Sequence, residues 1–327
     1  MVLTGSLARI LETSSGKAAW MTVFLDIAHR FSVGFERIFL ETVPFLLLGA
    51  FASAIVAHIF TNADIQALFT GRTLRSVLMG ILAAVILPVG DGGSVLLARQ
   101  LLRKGAGVPA AAGLMLAGPG VNLIAVGAGL ATDGMAGLTG MRFAAAVLFA
   151  LVFGLILSQE NEPERLICTK LQPVAAGNSA SLPGLEGTGR GGTAKTVALT
   201  AAREFLEFMP LLVMAAFIGA LLQALIPDGW IPPIPGSVPG QFAGAGLWAV
   251  LTAQSAVGDL YTIQAGSSSW TAGAQWMYLL VGMAVDIKLI LFYGRIFRRK
   301  ALLYWILLVL SMSMLASLAI GMVGGVN

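Results

Sequence analysis

Charge is what this 327-residue chain has least of. Asp, Glu, Lys and Arg together make up 11% of it, against the roughly 25% usual for a soluble domain. Such a chain cannot cover itself with an ordinary water-facing surface. Cysteine is limited to Cys168, and histidine to His29 and His58. A disulfide framework or a Cys/His metal centre within one chain is therefore excluded, and no metal or cofactor is expected. The formal charge of +4 is too small for a nucleic-acid partner. In place of charge, 57% of residues are hydrophobic and mean hydropathy is +0.87. That is the composition of an all-α polytopic membrane protein, with the lipid bilayer as its first partner. The 40 glycines suit helices that pack closely or break within the bilayer. Met1 to Ser15 lacks the apolar core of a cleavable signal and is read as mature sequence.

One apolar stretch is interrupted at Leu87-Pro88-Val89-Gly90-Asp91-Gly92-Gly93-Ser94. Proline removes a helical donor and the glycines release the backbone, so a helix arriving from Val77 should stop here. A short helix is expected to resume at Val95 and run to Lys104. A second interruption, Gln254-Ser255-Ala256-Val257-Gly258-Asp259, repeats the Val-Gly-Asp triplet. Irregular backbone at membrane depth is tolerated only inside protein or beside a watery cavity. A pair of interruptions in matching positions points to a transporter's binding site.

The chain otherwise reads as two halves around a polar linker. Residues 1–37 form an N-terminal segment whose stretch 16–36 has helical apolar spacing, read as lying in the interface. Residues 38–158 are a first membrane repeat, 159–200 a mobile cytoplasmic linker, and 201–327 a second repeat. The linker holds Gly187-Thr188-Gly189-Arg190-Gly191-Gly192, but with no strand before it this carries no nucleotide-binding expectation. Phe39-Leu40-Glu41 returns as Phe205-Leu206-Glu207, and the pairs Glu41/Glu207, Asp91/Asp259 and Asn122/Asp286 are offset by 166, 168 and 164 residues. Such steady offsets indicate a tandem duplication. Arg295, Arg298, Arg299 and Lys300 mark one cytoplasmic end, and Arg72, Arg75, Arg99, Arg103 and Lys104 another, whereas Pro227 to Gly240 has neither Lys nor Arg. By the positive-inside rule each half crosses an odd number of times. The expected fold is thus two inverted repeats, each with one broken or re-entrant helical hairpin.

Asp91 and Asp259 are the leading candidates for binding a substrate or ion, because acids within a membrane are expensive and usually mark a pathway. The bland alternative is that each caps the short helix after its break. Asn122 and Asp286 form a second symmetric pair, and Ser94, Gln254 and Ser255 add neutral lining at the breaks. Asp286 and Lys288 are two apart, so on one helix they would not share a face. Each then needs another partner, or Lys288 snorkels toward the basic end. Glu41 and Glu207, placed near the start of the first helix of each half, are candidates for proton coupling along with Lys288. The bland reading of the two glutamates is helix-start electrostatics at the interface. No catalytic residue is assigned.

These residues resemble the bacterial predicted permeases that include the organoarsenical exporter ArsP and the YraQ-like proteins. The resemblance spans about residues 38–300. It rests on Leu87-Pro88 through Gly93, Leu101-Leu102-Arg103-Lys104-Gly105, Gly118-Pro119 with Asn122, and Gly273-Ala274-Gln275 through Gly282, Asp286 and Lys288. It implies an inner-membrane permease that exports a small solute. Members similar to the arsenic exporter carry a Cys-Ser-Cys arrangement where Gly90, Asp91 and Gly92 stand here, and another cysteine where Ser255 stands. A soft trivalent arsenical would bind thiolate, so that substrate does not carry over. Carboxylates suit a harder cation, a proton or an amine. The competing readings are an intramembrane aspartyl hydrolase using Asp91 and Asp259, and a channel. A homo-oligomer is left open.

Overall fold

The computed structural model describes residues 14–71, 74–87, 89–160, 162–168, 194–226, 238–266 and 270–324. These residues are almost wholly helical, and among them the one strand-like feature is an antiparallel bridge between Ile167 and Phe297. Among the described residues, six helical segments are long and apolar enough to cross a membrane: 20–59, 108–131, 136–159, 194–225, 272–293 and 299–321. The molecule is a multi-pass membrane protein.

Helix α1 (Ser14–Ile59) runs unbroken for 46 residues, about 69 Å at 1.5 Å per residue. The segment 16–36, expected to lie in the interface, is the first part of this helix: Met21, Val23, Phe24 and Leu25 stay exposed, while Phe31 sits edge-on to Phe217 at 5.3 Å. After it come α2 (Asn62–Phe69), α3 (Leu74–Ile86), α4 (Gly90–Arg103), α5 (Val108–Val121), α6 (Leu123–Ala131) and α7 (Ala136–Gln159). Thr61 and Asp64 close a capping box on α2, which satisfies orphan amide groups at that helix start.

The stretch expected to be a mobile linker is partly structured. Pro163–Leu166 forms a 3-10 turn, the Cys168 N–H donates to the Ile296 carbonyl, and the Arg298 N–H donates to the Leu166 carbonyl. Residues 169–193, including the glycine-rich run, lie outside the described residues. So does 227–237, the bulk of the segment free of Lys and Arg. Helix α8 (Ala194–Leu225) starts within the assigned linker, and α9 (Val238–Thr252), α10 (Ala256–Gly266), α11 (Ala272–Gly282), α12 (Ile287–Tyr293) and α13 (Arg299–Gly324) follow.

Packing divides the helices into two kinds. Every residue of α5 is buried, as is nearly all of α4 and α11. α5 and α11 carry no charged residue, α4 buries its Asp91 and Arg99, and the three form the core. Outer helices keep apolar faces exposed, such as Leu40 and Leu48 on α1, Phe217 on α8 and Leu315 on α13. In a chain of this composition such faces meet lipid tails. Helix α1 lies along both α8 and α4, α5 lies between α3 and α7, and α11 lies between α9 and α13. Close approach at the core depends on glycine: a Cβ on Gly49 of α1 would fall 2.0 Å from the Gly93 Cα of α4.

Candidate functional site

Four helix junctions meet in the middle of the molecule. They are 87–89 between α3 and α4, Asn122 between α5 and α6, 253–255 between α9 and α10, and 283–286 between α11 and α12. Local sequence explains each one. Gly90 turns the chain with φ +59°, a conformation that costs glycine little. Pro119 sits in the last turn of α5, where its missing N–H weakens continuation. Asn122 then caps α6, accepting the Ile124 N–H at 3.0 Å. Ala253 takes φ 46°, and Ser255 Oγ accepts the Gly258 N–H at 3.1 Å to start α10. Asp286 is extended (φ −134°, ψ 173°) and caps α12 through the Leu289 N–H.

The interruptions are tighter than the sequence implies. Gly90 to Ser94 is helical, so Asp91 and Ser94 lie inside the first turns of α4 rather than in a loop before Val95. Neither Asp91 nor Asp259 is the cap of its helix. Val89 caps α4 without a side-chain bond, and the Ser255 hydroxyl serves at α10. The aspartate side chains are thereby left for longer-range partners.

Those partners are cations. Lys288 Nζ lies 2.9 Å from Asp91 Oδ2 and 2.7 Å from Asp286 Oδ2. It also donates to the carbonyls of Ala253 at 3.1 Å and Gln254 at 2.5 Å. Lys288 and Asp286 are both 0% exposed and Asp91 is 8% exposed. One ammonium thus joins the first-half interruption to the second. The snorkelling expected of Lys288 does not occur. Its separation from Asp286 fails as well, because a capping residue stands outside the helix and its side chain folds back over the first turn. Facing-residue rules for a helix surface do not apply there.

Asp259, also buried, accepts from Arg142 of α7 at 3.0 Å. Its carboxylate lies against the end of α11, where a Cβ on Gly282 would come within 3.1 Å. Asn122 is buried with its amide beside Gly90. Ser94 donates to the Asp91 carbonyl at 2.8 Å. The Gln254 amide meets the Thr262 hydroxyl at 2.7 Å. Glu41 and Glu207 sit in the middle of α1 and α8, not at helix starts. Glu41 accepts the Ser255 N–H at 2.9 Å, placing a carboxylate at the positive end of α10. Glu207 pairs instead with Arg99 of α4 at 2.7 Å.

Arg142, Arg99 and Glu204 are the polar residues that sequence reasoning missed as partners. Arg99, counted among exposed cytoplasmic cations, is buried against Glu204 at 3.8 Å and over the Phe208 ring at 4.8 Å. Arg142 carried a usable signal, being a single charge at the edge of the apolar run from Met141 to Leu157. Glu204 lies beside Arg203 and looked like helix-end charge. Every one of these pairs joins a residue of the first half to one of the second.

With helices that cross a membrane and a charged centre inside them, the molecule falls in the class of membrane transport proteins. Residues 28–322 match the family described as predicted permease, and the chain belongs to that family. A relative, UPF0718 protein YcgR of Bacillus subtilis (strain 168), is 27% identical over 287 residues, covering 86% of this chain and 95% of its own. No solved structure matches.

Proposed function

We propose that the chain is a secondary transporter of the bacterial inner membrane that exports a small solute by alternating access. Its halves are related as inverted repeats, with α1, α3–α4, α5–α6 and α7 corresponding to α8, α9–α10, α11–α12 and α13. The observation that carries this reading is the convergence of four helix junctions on Lys288, Asp91, Asp286 and the released carbonyls just past α9. Discontinuous helices whose ends surround charge deep in the membrane are how secondary transporters build a site. Asp91, Asp259, Asn122, Asp286, Ser94, Gln254 and Ser255 line that centre on this reading. Glu41 and Lys288 couple it to helix ends, and Glu207 holds α8 to α4.

On this reading, ties between the halves close the centre. Arg99 and Arg103 reach Glu204 and Glu207 on one side. On another, the Arg37 guanidinium donates to Gln223 at 2.7 Å. Opening one set while keeping the other is the movement alternating access requires. The hydrolase reading needs Asp91 and Asp259 to share a proton. Here each carboxylate has a separate cation partner, which disfavours it.

The test is flux in proteoliposomes, screening small primary amines and monovalent cations with wild type, Asp91→Asn and Asp259→Asn. Saturable, gradient-driven uptake that falls at least about tenfold in both variants is expected, since each loses a buried charged partner. Equal flux in all three proteins sinks the mechanism, and non-saturable flux makes it a channel.

A further inference from the structure

The Lys288 ammonium has the surroundings of a bound metal ion rather than those of an ordinary ion pair. Four oxygens hold it, two carboxylate (Asp91 Oδ2 and Asp286 Oδ2) and two main-chain (Ala253 and Gln254), at 2.5–3.1 Å. The carbonyls belong to the junction just past α9, where the chain turns out of helix at Ala253. Carbonyls freed where a membrane helix unwinds, joined by carboxylates, are the donors that hold alkali coupling ions in transporters with discontinuous helices.

The charge count makes the same point independently. Five ionisable groups are buried together: Asp91, Asp259 and Asp286 against Arg142 and Lys288. Three acids face two bases. Asp259 keeps one oxygen, Oδ1, with no hydrogen-bond partner among the described residues. With Lys288 removed, two charges of one sign would remain uncompensated in a medium where that is costly. The acids must then either take up protons or find another cation.

We infer that Lys288 is a tethered coupling cation: its ammonium permanently fills, from within the chain, a four-oxygen site for a monovalent cation. This rests on the transporter reading above and adds the class of ion. The wild-type protein requires no alkali ion. Because the charge is carried on α12, any movement of that short helix moves the cation with it. A protein lacking the lysine takes up a mobile ion in its place, either an alkali ion or a small primary ammonium.

The experiment measures thermal unfolding of the purified full chain in detergent at constant ionic strength. N-methylglucamine is replaced stepwise by sodium, potassium or methylammonium. Wild type is expected to keep the same midpoint in all four. Lys288→Ala is expected to unfold at lower temperature, and to regain about 5 °C, saturably, as its preferred ion reaches roughly a hundredfold excess over its dissociation constant. Asp286→Asn combined with Lys288→Ala carries one charge fewer and keeps the carbonyls, so it covers the case in which the single variant fails to fold. It should show the same selectivity with weaker binding. A midpoint that ignores every cation in both variants overturns the inference, and so does a wild type that responds to sodium as strongly as the variants do. Either result leaves the flux test of Asp91 and Asp259 standing, so the two claims fail separately.

Discussion

Around Gly90 the chain turns on a glycine and is held by close packing. Around Ala253 it turns on a residue that carries a Cβ and is held by charges from distant helices. At the first interruption, α4 is pressed against α1 through Gly93 and Gly49, against Phe45 at Gly90, and against Phe292 at Gly92. At the second, Lys288 takes the carbonyls just past α9 while Glu41 takes the amide at the start of α10. The first is stiff because a Cβ on Gly93 would collide with the Phe45 and Gly49 backbone, and one on Gly90 or Gly92 with the Phe45 or Phe292 ring. The second stands only while two side chains stay charged and in place. If one interruption gives way during transport, the physics selects the second. An electrostatic cap can be exchanged for another ion or for water, whereas glycine contacts have no substitute.

The comparison breaks most severely at Lys288. Lys288→Met leaves Asp91 and Asp286 buried without a cation, and a loss of roughly 3–5 kcal/mol is expected. Chemical denaturation in detergent should show it, with most of the loss recovered when Asp91→Asn and Asp286→Asn are added. Gly49→Ala tests the packed side. Its Cβ would overlap the Gly93 backbone, and a cost of about 1–3 kcal/mol is expected from overpacking, with no recovery by any salt. Glu41→Gln removes the charged cap of α10 and should cost about 1.5–3 kcal/mol. Its sequence mate Glu207 makes the opposite case. The Glu207 side chain is 51% exposed, so Glu207→Gln should change stability by less than about 1 kcal/mol. If the two glutamates cost the same, the proposed asymmetry is wrong. The smallest effect has the opposite sign. Ala253→Gly relieves a left-handed backbone worth roughly 1–2 kcal/mol and increases unfolded-chain freedom, for a net gain of about 0.5 kcal/mol. The same unfolding curves would reveal it.

Much of the centre was legible because its residues are anomalous where they stand. Asp91 and Asp259 stand beside glycine and Asn122 and Asp286 within four residues of one, all four in apolar runs, and all four are buried. Ser94, Gln254 and Ser255 were found by adjacency to the same interruptions. Pairing was where the reading went astray. Asp286 and Lys288 were separated by a rule for residues on one helix, although Asp286 stands just outside its helix. Arg99 was placed at a cytoplasmic end because it clusters with Arg103 and Lys104. Its partners, Glu204 and Glu207, are more than a hundred residues away.

The sequence by itself determined the solvent this protein lives in, where its helices stop, and which few charges lie among apolar neighbours. These follow from hydropathy and backbone chemistry, which act over a few residues. Only the tertiary structure decided which cation meets which acid, because Asp91–Lys288, Arg99–Glu207 and Arg142–Asp259 each join the first half to the second. A Coulomb contact at 3 Å depends on how helices cross, and no spacing along the chain encodes that directly.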